Sequence, residues 1–125
     1  MRVYLCGPMT GMPLLNYPAF NELASELRAH GLEVMNPAEN PEPPCRSWKG
    51  YMRMSLKQIA DADLIVVLAG WPASKGATLE ISTARGLGVP AFTCQFVIRH
   101  LQFGGIPELE RAVAAFEQLS QRAAA

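Results

Sequence analysis

The chain has 125 residues, which is enough for one domain that buries its core without disulfides. Its 11 basic and 11 acidic residues balance and form no basic run, so a groove for a nucleic-acid polymer is not supported. No apolar run approaches the ~20 residues that cross a bilayer, and Cys6, Cys45 and Cys94 lack the spacing of a zinc site or a disulfide framework. We therefore expect a single cytoplasmic domain over residues 1–125, without a membrane segment, a metal or a cofactor.

The first half of the chain predicts two short strands around a helix. Residues 2–6 form an apolar run that ends at a turn, and residues 32–35 form a second one. Between them, apolar residues recur at helical spacing after Asn16, a possible N-cap, and Gly31 stops the helix. Residues 36–44 contain four prolines and are predicted to form a loop.

The second half continues the alternation of helix and strand. Ser47 can cap a helix, residues 63–69 form a buried strand, a further helix carries Glu80, and residues 89–94 form a fourth strand. Residues 95–105 are ambiguous and have room for an edge strand, and Pro107 starts a last helix. Such an alternation favours an α/β fold with a parallel sheet of four or five strands and right-handed crossovers.

Ligands of parallel α/β folds bind beyond the carboxyl ends of the strands. Three breaker-rich loops converge there, formed by residues 7–13, 36–44 and 70–75. Glu80 opens toward the same edge, and at roughly 100° per residue it lies near the small-residue stripe of its helix. An acid that faces inward is costly unless it is paired or used. Glu80 is thus a candidate nucleophile or general base, although a glutamate near a helix N-terminus also suits the helix dipole.

Two segments near Glu80 can bind an anion. Ser74 and Gly76 stand at a helix start, where a hydroxyl and free N–H groups suit a phosphate or a carboxylate, and where a serine also serves as an N-cap. The loop 7–11 follows a strand and can bring N–H groups to a ligand, although a tight turn explains its glycines equally well. It matches neither a P-loop nor a dinucleotide fingerprint.

Two further positions near this edge need an interpretation. Ser55 is the one polar residue on the apolar face of its helix, and a hydrogen bond to its i−4 carbonyl is the common explanation. Trp71, in a loop beside the proposed site, is the better candidate for stacking on a base. Trp48 and Tyr51 are interpreted as core and rim residues.

These residues, in their order, carry a family resemblance. The segments that carry it are 4–11, 16–21, 36–38, 51–53, 61–63 and Gly70-Trp71-x-x-Ser74-x-Gly76-Ala77-x-x-Glu80. Over residues 3–90 the chain resembles the nucleoside 2-deoxyribosyltransferase-like superfamily, and within it an uncharacterised family that is often phage-encoded. The resemblance implies a flavodoxin-like or Rossmann-like three-layer sandwich and a homo-oligomer. It also implies cleavage of an N-glycosidic bond, with a nucleotide or nucleoside as the small-molecule partner.

The resemblance also implies roles for individual residues. Glu80 matches the glutamate that attacks the anomeric carbon and forms a covalent glycosyl-enzyme, and Tyr4 matches the tyrosine that orients it. Ser74, six residues before Glu80, matches the serine that holds a 5′-phosphate, which favours a hydrolase of (deoxy)nucleoside 5′-monophosphates. The residues implied to hold the phosphate, sugar and base are Gly7, Pro8, Met9, Thr10, Gly11, Trp71, Ser74 and Gly76.

One departure from the superfamily leaves alternatives open. Ser55 stands where these enzymes commonly have an aspartate that handles the proton of the leaving base, and Thr10 stands where some monophosphate hydrolases have an arginine. Either another group such as Asp61 or a water supplies the proton, or catalysis is weak, or the domain only binds a nucleotide. A nucleoside deoxyribosyltransferase is the further alternative.

Overall fold

The structure is a computed structural model that describes residues 1–124. Four parallel strands form one sheet, in which the first and third strands of the chain are central and the second and fourth are at the edges. Apart from short 3₁₀ turns, helices connect them, so the predicted parallel α/β fold is confirmed and the sheet has four strands. The strands are β1 (Arg2–Cys6), β2 (Glu33–Met35), β3 (Leu64–Val67) and β4 (Ala91–Thr93). The helices are α1 (Tyr17–Ala29), α2 (Trp48–Ala60), α3 (Lys75–Gly86) and α4 (Cys94–Ala124).

The sheet separates two apolar clusters, because successive side chains of a strand point to opposite faces. Val3 and Leu5 of β1 pack with residues of α1 and α4 on one face. Tyr4 and Cys6 pack with residues of α2 and α3 on the other face. The result is the predicted three-layer sandwich, with β1 and β3 buried between two layers of helices. Tyr4 is thereby directed toward the helix that carries Glu80.

The segment 95–105, for which an edge strand was considered, is helical. Val97 and Leu101 are spaced by one helical turn and both are buried against the sheet, which fixes the helix. At Gly105 the backbone takes φ 69°, and the helix that follows Pro107 is continuous with the earlier turns except for this kink. The tertiary contacts of Val97 and Leu101 therefore determine the secondary structure of a segment whose local sequence pattern is ambiguous.

Asn16 does not act as the predicted side-chain cap of α1. It adopts φ 60° and forms no side-chain cap. Its Nδ2 instead donates a hydrogen bond of 3.0 Å to the Pro8 carbonyl oxygen, and so connects the start of α1 to the loop after β1. Ser47 does cap α2, since its side chain accepts from the Gly50 N–H. None of the helices within residues 1–124 is both long enough and apolar enough to cross a membrane.

Candidate active site

A cavity of about 740 Å³ opens at the carboxyl edge of the sheet. The loop after β1, the start of α1, the loop after β2, the inner face of α2 and the first turns of α3 form its walls. The residues that line it are Leu5, Gly7, Met9, Thr10, Leu15, Tyr17, Phe20, Pro37, Asn40, Trp48, Tyr51, Met52, Ser55, Ala73, Ser74, Lys75, Gly76, Ala77 and Glu80. A space of this size accommodates a small organic ligand.

Glu80 lies in the second turn of α3, and only 8% of its surface is exposed. Ala77, Ile81 and Ala84 form the buried stripe of this helix, and position 80 lies beside that stripe. The Oε1 atom lies 4.0 Å from the point that a Cβ on Gly76 would occupy, so it borders the gap that this glycine leaves open. The Oε2 atom is buried and has no hydrogen-bond partner among the described residues. Glu80 thus offers a carboxyl group to a ligand in the cavity.

The pKa of Glu80 is raised to about 7, chiefly because burial disfavours the charged carboxylate. The Tyr4 hydroxyl and the Cys6 thiol lower the pKa of Glu80 in part, since each can donate to the carboxylate. Burial and the nearby Glu80 raise the pKa of the Cys6 thiol. The thiol is therefore a neutral donor, and it points to the Ala77 carbonyl oxygen at 3.6 Å. Near pH 7 the Glu80 side chain is divided between its neutral and charged forms.

Tyr4 lies on β1 beneath Glu80 and is fully buried. Burial, followed by the charge of Glu80, raises its pKa well above the usual range for a tyrosine, so the phenol stays protonated. Ser55 is close enough to lower the pKa of Tyr4 in part, because it can form a hydrogen bond with the phenol. Nevertheless, the orientation leaves the Tyr4 hydroxyl without a hydrogen bond to any residue in 1–124. The phenol is therefore a protonated, unpaired hydroxyl that is held beside Glu80.

The first turn of α3 forms a second polar feature of the cavity. The Ser74 hydroxyl accepts a hydrogen bond of 3.1 Å from the Ala77 N–H and so caps the helix. Helix geometry leaves the N–H groups of Lys75 and Gly76 without an intrahelical acceptor. Together with the positive end of the helix dipole and the Lys75 ammonium group, they make this wall suitable for an anion.

Close packing and backbone conformation explain the glycines in the loop after β1. A Cβ on Gly7 would lie 2.9 Å from Leu68 Cβ, so close packing of the loop on the end of β3 requires glycine there. Gly11 has φ 82°, a conformation that favours glycine. Gly7, Met9 and Thr10 line the cavity, whereas Pro8 and Gly11 are not among its lining residues within the part of the chain described. This geometry favours a tight turn that presents Met9 and Thr10.

The aromatic walls of the cavity come from α2. Trp48 and Tyr51 line it and are 42% and 41% exposed, while Trp71 is partly buried against the α2 and α3 side of the core and is not one of the lining residues within 1–124. The Lys75 ammonium nitrogen lies 4.5 Å from the centroid of the Trp48 ring. The sequence did contain a signal for this aromatic wall. The N-cap at Ser47 places Trp48 and Tyr51 in the first turns of α2, at the edge of the sheet where the loops converge.

Ser55 is buried on the inner face of α2 and lines the cavity, as its position on the apolar face predicts. Asp61, considered above as a proton donor, does not reach the cavity. It is the C-cap of α2, and two residues later Asp63 accepts a hydrogen bond of 2.8 Å from the Arg2 N–H at the start of β1. Both acids therefore lie at the amino edge of the sheet, opposite the cavity.

Sequence reasoning also missed residues of the cavity that become neighbours only in the folded chain. Tyr17 and Phe20 enter from α1, and Asn40 enters from the loop after β2. Asn40 exchanges two hydrogen bonds, of 3.0 and 2.9 Å, with the Gln58 amide of α2, and these fix the loop over the cavity. An asparagine in a proline-rich loop gives no sequence signal for this contact.

Comparisons with known proteins identify a family and a similar fold for this chain. A family model described as a domain of unknown function (DUF4406) matches residues 1–93, which end with β4. Among solved structures, a 2-deoxyribosyltransferase from the psychrotolerant bacterium Bacillus psychrosaccharolyticus is similar, with a TM-score of 0.60 and 23% identity. The similarity covers 74% of this chain and 71% of that one. At this identity it establishes a common fold, consistent with the flavodoxin-like architecture. No curated protein matches the chain.

Proposed function

The chain belongs to the family described as a domain of unknown function (DUF4406), and we propose that it is an N-glycosidase that hydrolyses (deoxy)nucleoside 5′-monophosphates through a covalent glycosyl-glutamate. The observation that carries the proposal is the placement of Glu80. Its side chain is buried at the wall of a large cavity, with Oε1 on the open side and Oε2 free of partners in residues 1–124. A solvated surface glutamate has none of these properties.

The proposed reaction has two displacements. Glu80 Oε1 attacks the anomeric carbon, the C1′–N bond breaks, and its electron pair leaves with the base. A water molecule then attacks C1′, the C1′–O bond to Glu80 breaks, and its electron pair restores the carboxylate. The attacking water loses one proton and the departing base gains one, so the net products are the neutral base and the sugar phosphate. The Tyr4 hydroxyl, held beside the carboxyl group, orients Glu80 and favours its charged form.

The start of α3 supports a phosphate group on the substrate. Ser74, the free N–H groups of Lys75 and Gly76 and the Lys75 ammonium group lie on one wall of the cavity. Glu80 is one to two helical turns farther along the same helix. A sugar ring between them would present its anomeric carbon to Glu80 and its 5′ substituent to the helix start.

Base release from purified protein tests the proposal. The substrates are a panel of deoxynucleoside and nucleoside 5′-monophosphates with the corresponding free nucleosides, and the variants are Glu80→Gln and, as a matched control, the exposed Glu26→Gln on α1. We expect release from monophosphates that Glu80→Gln abolishes and Glu26→Gln retains. Release that persists in Glu80→Gln would contradict the role of Glu80 as nucleophile.

Two alternatives share the same cavity. A nucleotide-binding module without turnover is favoured by the cavity's low content of acids, since Glu80 is its single acidic residue within residues 1–124. That module would gain thermal stability from nucleotides and release no base. A deoxyribosyltransferase shares the first displacement and is supported by the fold in common with the Bacillus enzyme. It would need an added acceptor base for product to form.

Homo-oligomer formation is also part of the proposal. Phe103 is 83% exposed and Leu119 is 65% exposed, both on α4. These two side chains are the candidates on α4 for contact with a second copy of the chain, which the family resemblance implies. Light scattering coupled to size exclusion should give a mass above that of one chain, and Phe103→Ser should lower it. A monomeric wild-type protein would contradict this part of the proposal.

A further inference from the structure

We propose that the cavity is suited to N-glycosides whose base leaves without accepting a proton, namely nucleotides with a positively charged base such as a pyridinium or an N7-alkylated purine. This inference rests on the proposed function and deepens it by naming the class of leaving group. Two independent features carry it: the chemistry of the groups that line the cavity, and an aromatic wall that already holds a cation.

The first feature is the supply of acids in the cavity. Among the lining residues in 1–124, Glu80 carries the single carboxyl group, and none is a histidine. The other polar groups of the lining side chains are the hydroxyls of Thr10, Tyr17, Tyr51, Ser55 and Ser74, the amide of Asn40, the indole N–H of Trp48 and the ammonium group of Lys75. Hydroxyl, amide and ammonium groups are far weaker acids than a carboxyl group. Glu80 itself must be a carboxylate when it attacks, so it cannot deliver the proton in the same step.

Asp61, Asp63 and His100 all lie outside the cavity and do not replace the missing group. Asp61 and Asp63 lie at the opposite edge of the sheet. His100 belongs to α4, which packs on the other face of the sheet. Its ring stacks on Phe96, with a centroid distance of 4.1 Å, and its Nδ1 contacts the Phe96 carbonyl oxygen at 2.9 Å. On α2, the position on the inner wall next to Tyr4 is Ser55, whose hydroxyl is not an acid near neutral pH.

The consequence depends on the leaving group. A neutral purine or pyrimidine leaves with the electron pair of the C1′–N bond and must then gain a proton, and general acid catalysis of such a step contributes roughly 10²- to 10⁴-fold. A pyridinium or N7-alkylated purine already carries a positive charge. When its C1′–N bond breaks, the electron pair neutralises that charge and the base departs as a neutral molecule. Water then hydrolyses the glycosyl ester and its proton goes to solvent, so this route needs no acid from the protein.

The second feature is the Trp48 wall. The Lys75 ammonium nitrogen lies 4.5 Å from the centroid of the Trp48 ring, so the ring is placed to contact a cation. Trp48 Nε1 and Glu80 Oε1 both lie within 4.0 Å of one point, the Cβ position of Gly76. The aromatic ring and the carboxyl group thus border the same gap. A positively charged base on Trp48 would place its glycosidic bond beside Glu80.

Lys75 connects this arrangement to the phosphate. Its charge disfavours a cationic base nearby unless an anion compensates for it. The 5′-phosphate of a nucleotide at the start of α3 would supply that anion and draw the ammonium group away from the Trp48 ring. Phosphate and cationic base therefore favour each other in this cavity, and we expect the corresponding free nucleosides to be poorer substrates.

A matched pair of substrates tests the inference. dGMP and its N7-methyl derivative share sugar, phosphate and ring system and differ by one methyl group and one positive charge. Base release is followed by chromatography, with the rate without protein subtracted and Glu80→Gln as the blank; nicotinamide mononucleotide serves as a pyridinium substrate. We expect kcat/KM for N7-methyl-dGMP to exceed that for dGMP by at least about 100-fold, the low end of the contribution of a general acid.

A second variant addresses the missing acid directly. Ser55→Asp introduces a carboxyl group on the cavity wall, and we expect it to raise base release from dGMP without raising release from N7-methyl-dGMP. A circular dichroism spectrum and a thermal melt report whether the variant is folded, and the wild-type ratio decides the inference by itself. Similar kcat/KM values for the two substrates in the wild-type protein, with release that depends on Glu80, would overturn the inference and leave the proposed function intact. The absence of Glu80-dependent release from every substrate would overturn both.

Discussion

The Tyr4 hydroxyl and Glu80 Oε2 are buried beside each other at the carboxyl end of β1, and neither forms a hydrogen bond with the described residues. They are close enough for each to shift the pKa of the other. A buried polar atom without a partner costs roughly 1–3 kcal/mol, and two such atoms adjoin one cavity here. A ligand that forms a hydrogen bond with either atom would therefore recover part of this free energy.

The raised pKa of Glu80 predicts a pH-dependent stability difference. In the unfolded chain Glu80 ionises near 4.5, and in the folded chain near 7. Between these values the folded state binds more protons, so Glu80 lowers the free energy of unfolding as pH rises from 4.5 to 7, by about 3 kcal/mol in all, and the effect is constant above pH 7. Relative to wild type, Glu80→Gln should therefore become progressively more stable over this range, as measured by urea denaturation. Glu26→Gln should show no such trend, and a pH-independent difference for Glu80→Gln would contradict the prediction.

Tyr4→Phe should change the pH dependence of the reaction more than the stability of the fold. The hydroxyl lowers the pKa of Glu80, so its removal should raise that pKa above 7 and move the rise of kcat/KM to higher pH. The lost hydroxyl is buried and has no partner in residues 1–124, so its removal relieves a desolvation cost, and the free energy of unfolding should stay the same or rise by up to roughly 1–3 kcal/mol. A pH–rate profile of the variant checks this. A purely structural role for Tyr4 predicts an unshifted profile.

Gly76→Ala should separate folding from activity. The added methyl group would lie 3.5 Å from Met52 Sδ, 3.8 Å from Trp48 Nε1 and 4.0 Å from Glu80 Oε1, which are ordinary contacts. Because alanine favours a helix over glycine, the variant should be as stable as wild type or more stable, by up to about 1 kcal/mol. Since the methyl group fills the gap that the sugar and base must share, kcat/KM should fall at least about tenfold, which corresponds to ~1.4 kcal/mol of transition-state binding.

Gly86→Ala is the matched control for that variant. It lies on the same helix, and a Cβ there would have no neighbour within 4 Å among the described residues. Thermal melts and base release measured for both variants should show similar stability and activity loss in Gly76→Ala alone. Equal activity of the two variants would show that the gap at Gly76 is not used by the substrate.

Ser74→Asp should reverse the preference for a phosphate. Aspartate retains the ability to accept from the Ala77 N–H, so the cap on α3 remains. Its negative charge would repel a 5′-phosphate, and the ratio of kcat/KM for dGMP to that for deoxyguanosine should fall. Ser74→Ala should lose about 1 kcal/mol of stability with the cap. An unchanged ratio in Ser74→Asp would mean that the phosphate is held elsewhere.

Trp48→Leu and Trp71→Leu compare the two candidate stacking residues. Trp48 lines the cavity with an accessible ring, whereas Trp71 packs against the core. We expect Trp48→Leu to raise KM for nucleotides, and most for those with a cationic base. Trp71→Leu should mainly lower the melting temperature and change KM little. A larger KM effect for Trp71→Leu would restore the interpretation of Trp71 as the stacking residue.

The local sequence was sufficient where one periodicity dominated. The strand β3 is fully buried, and β1 is buried except for Arg2. Both are visible as apolar runs in the sequence, because both faces of a central parallel strand are covered by helices. The cap at Ser74 and the inward position of Glu80 follow from residue type and helical angle alone, and the structure has both. The local sequence was not sufficient for the segment 95–105. Its helix depends on the burial of Val97 and Leu101 against the sheet, and the sheet is formed by other parts of the chain.

By itself, the sequence determined the order of strands and helices and the edge of the sheet at which Glu80 and Ser74 meet, because these follow from short-range pattern and from the chirality of parallel crossovers. The tertiary structure alone decided which side chains share the cavity. It brought Trp48 rather than Trp71 to the wall, placed Asp61 at the opposite edge, and buried Glu80 deeply enough to raise its pKa to about 7. Burial and proximity are set by packing between segments distant in the chain, and no local pattern specifies them.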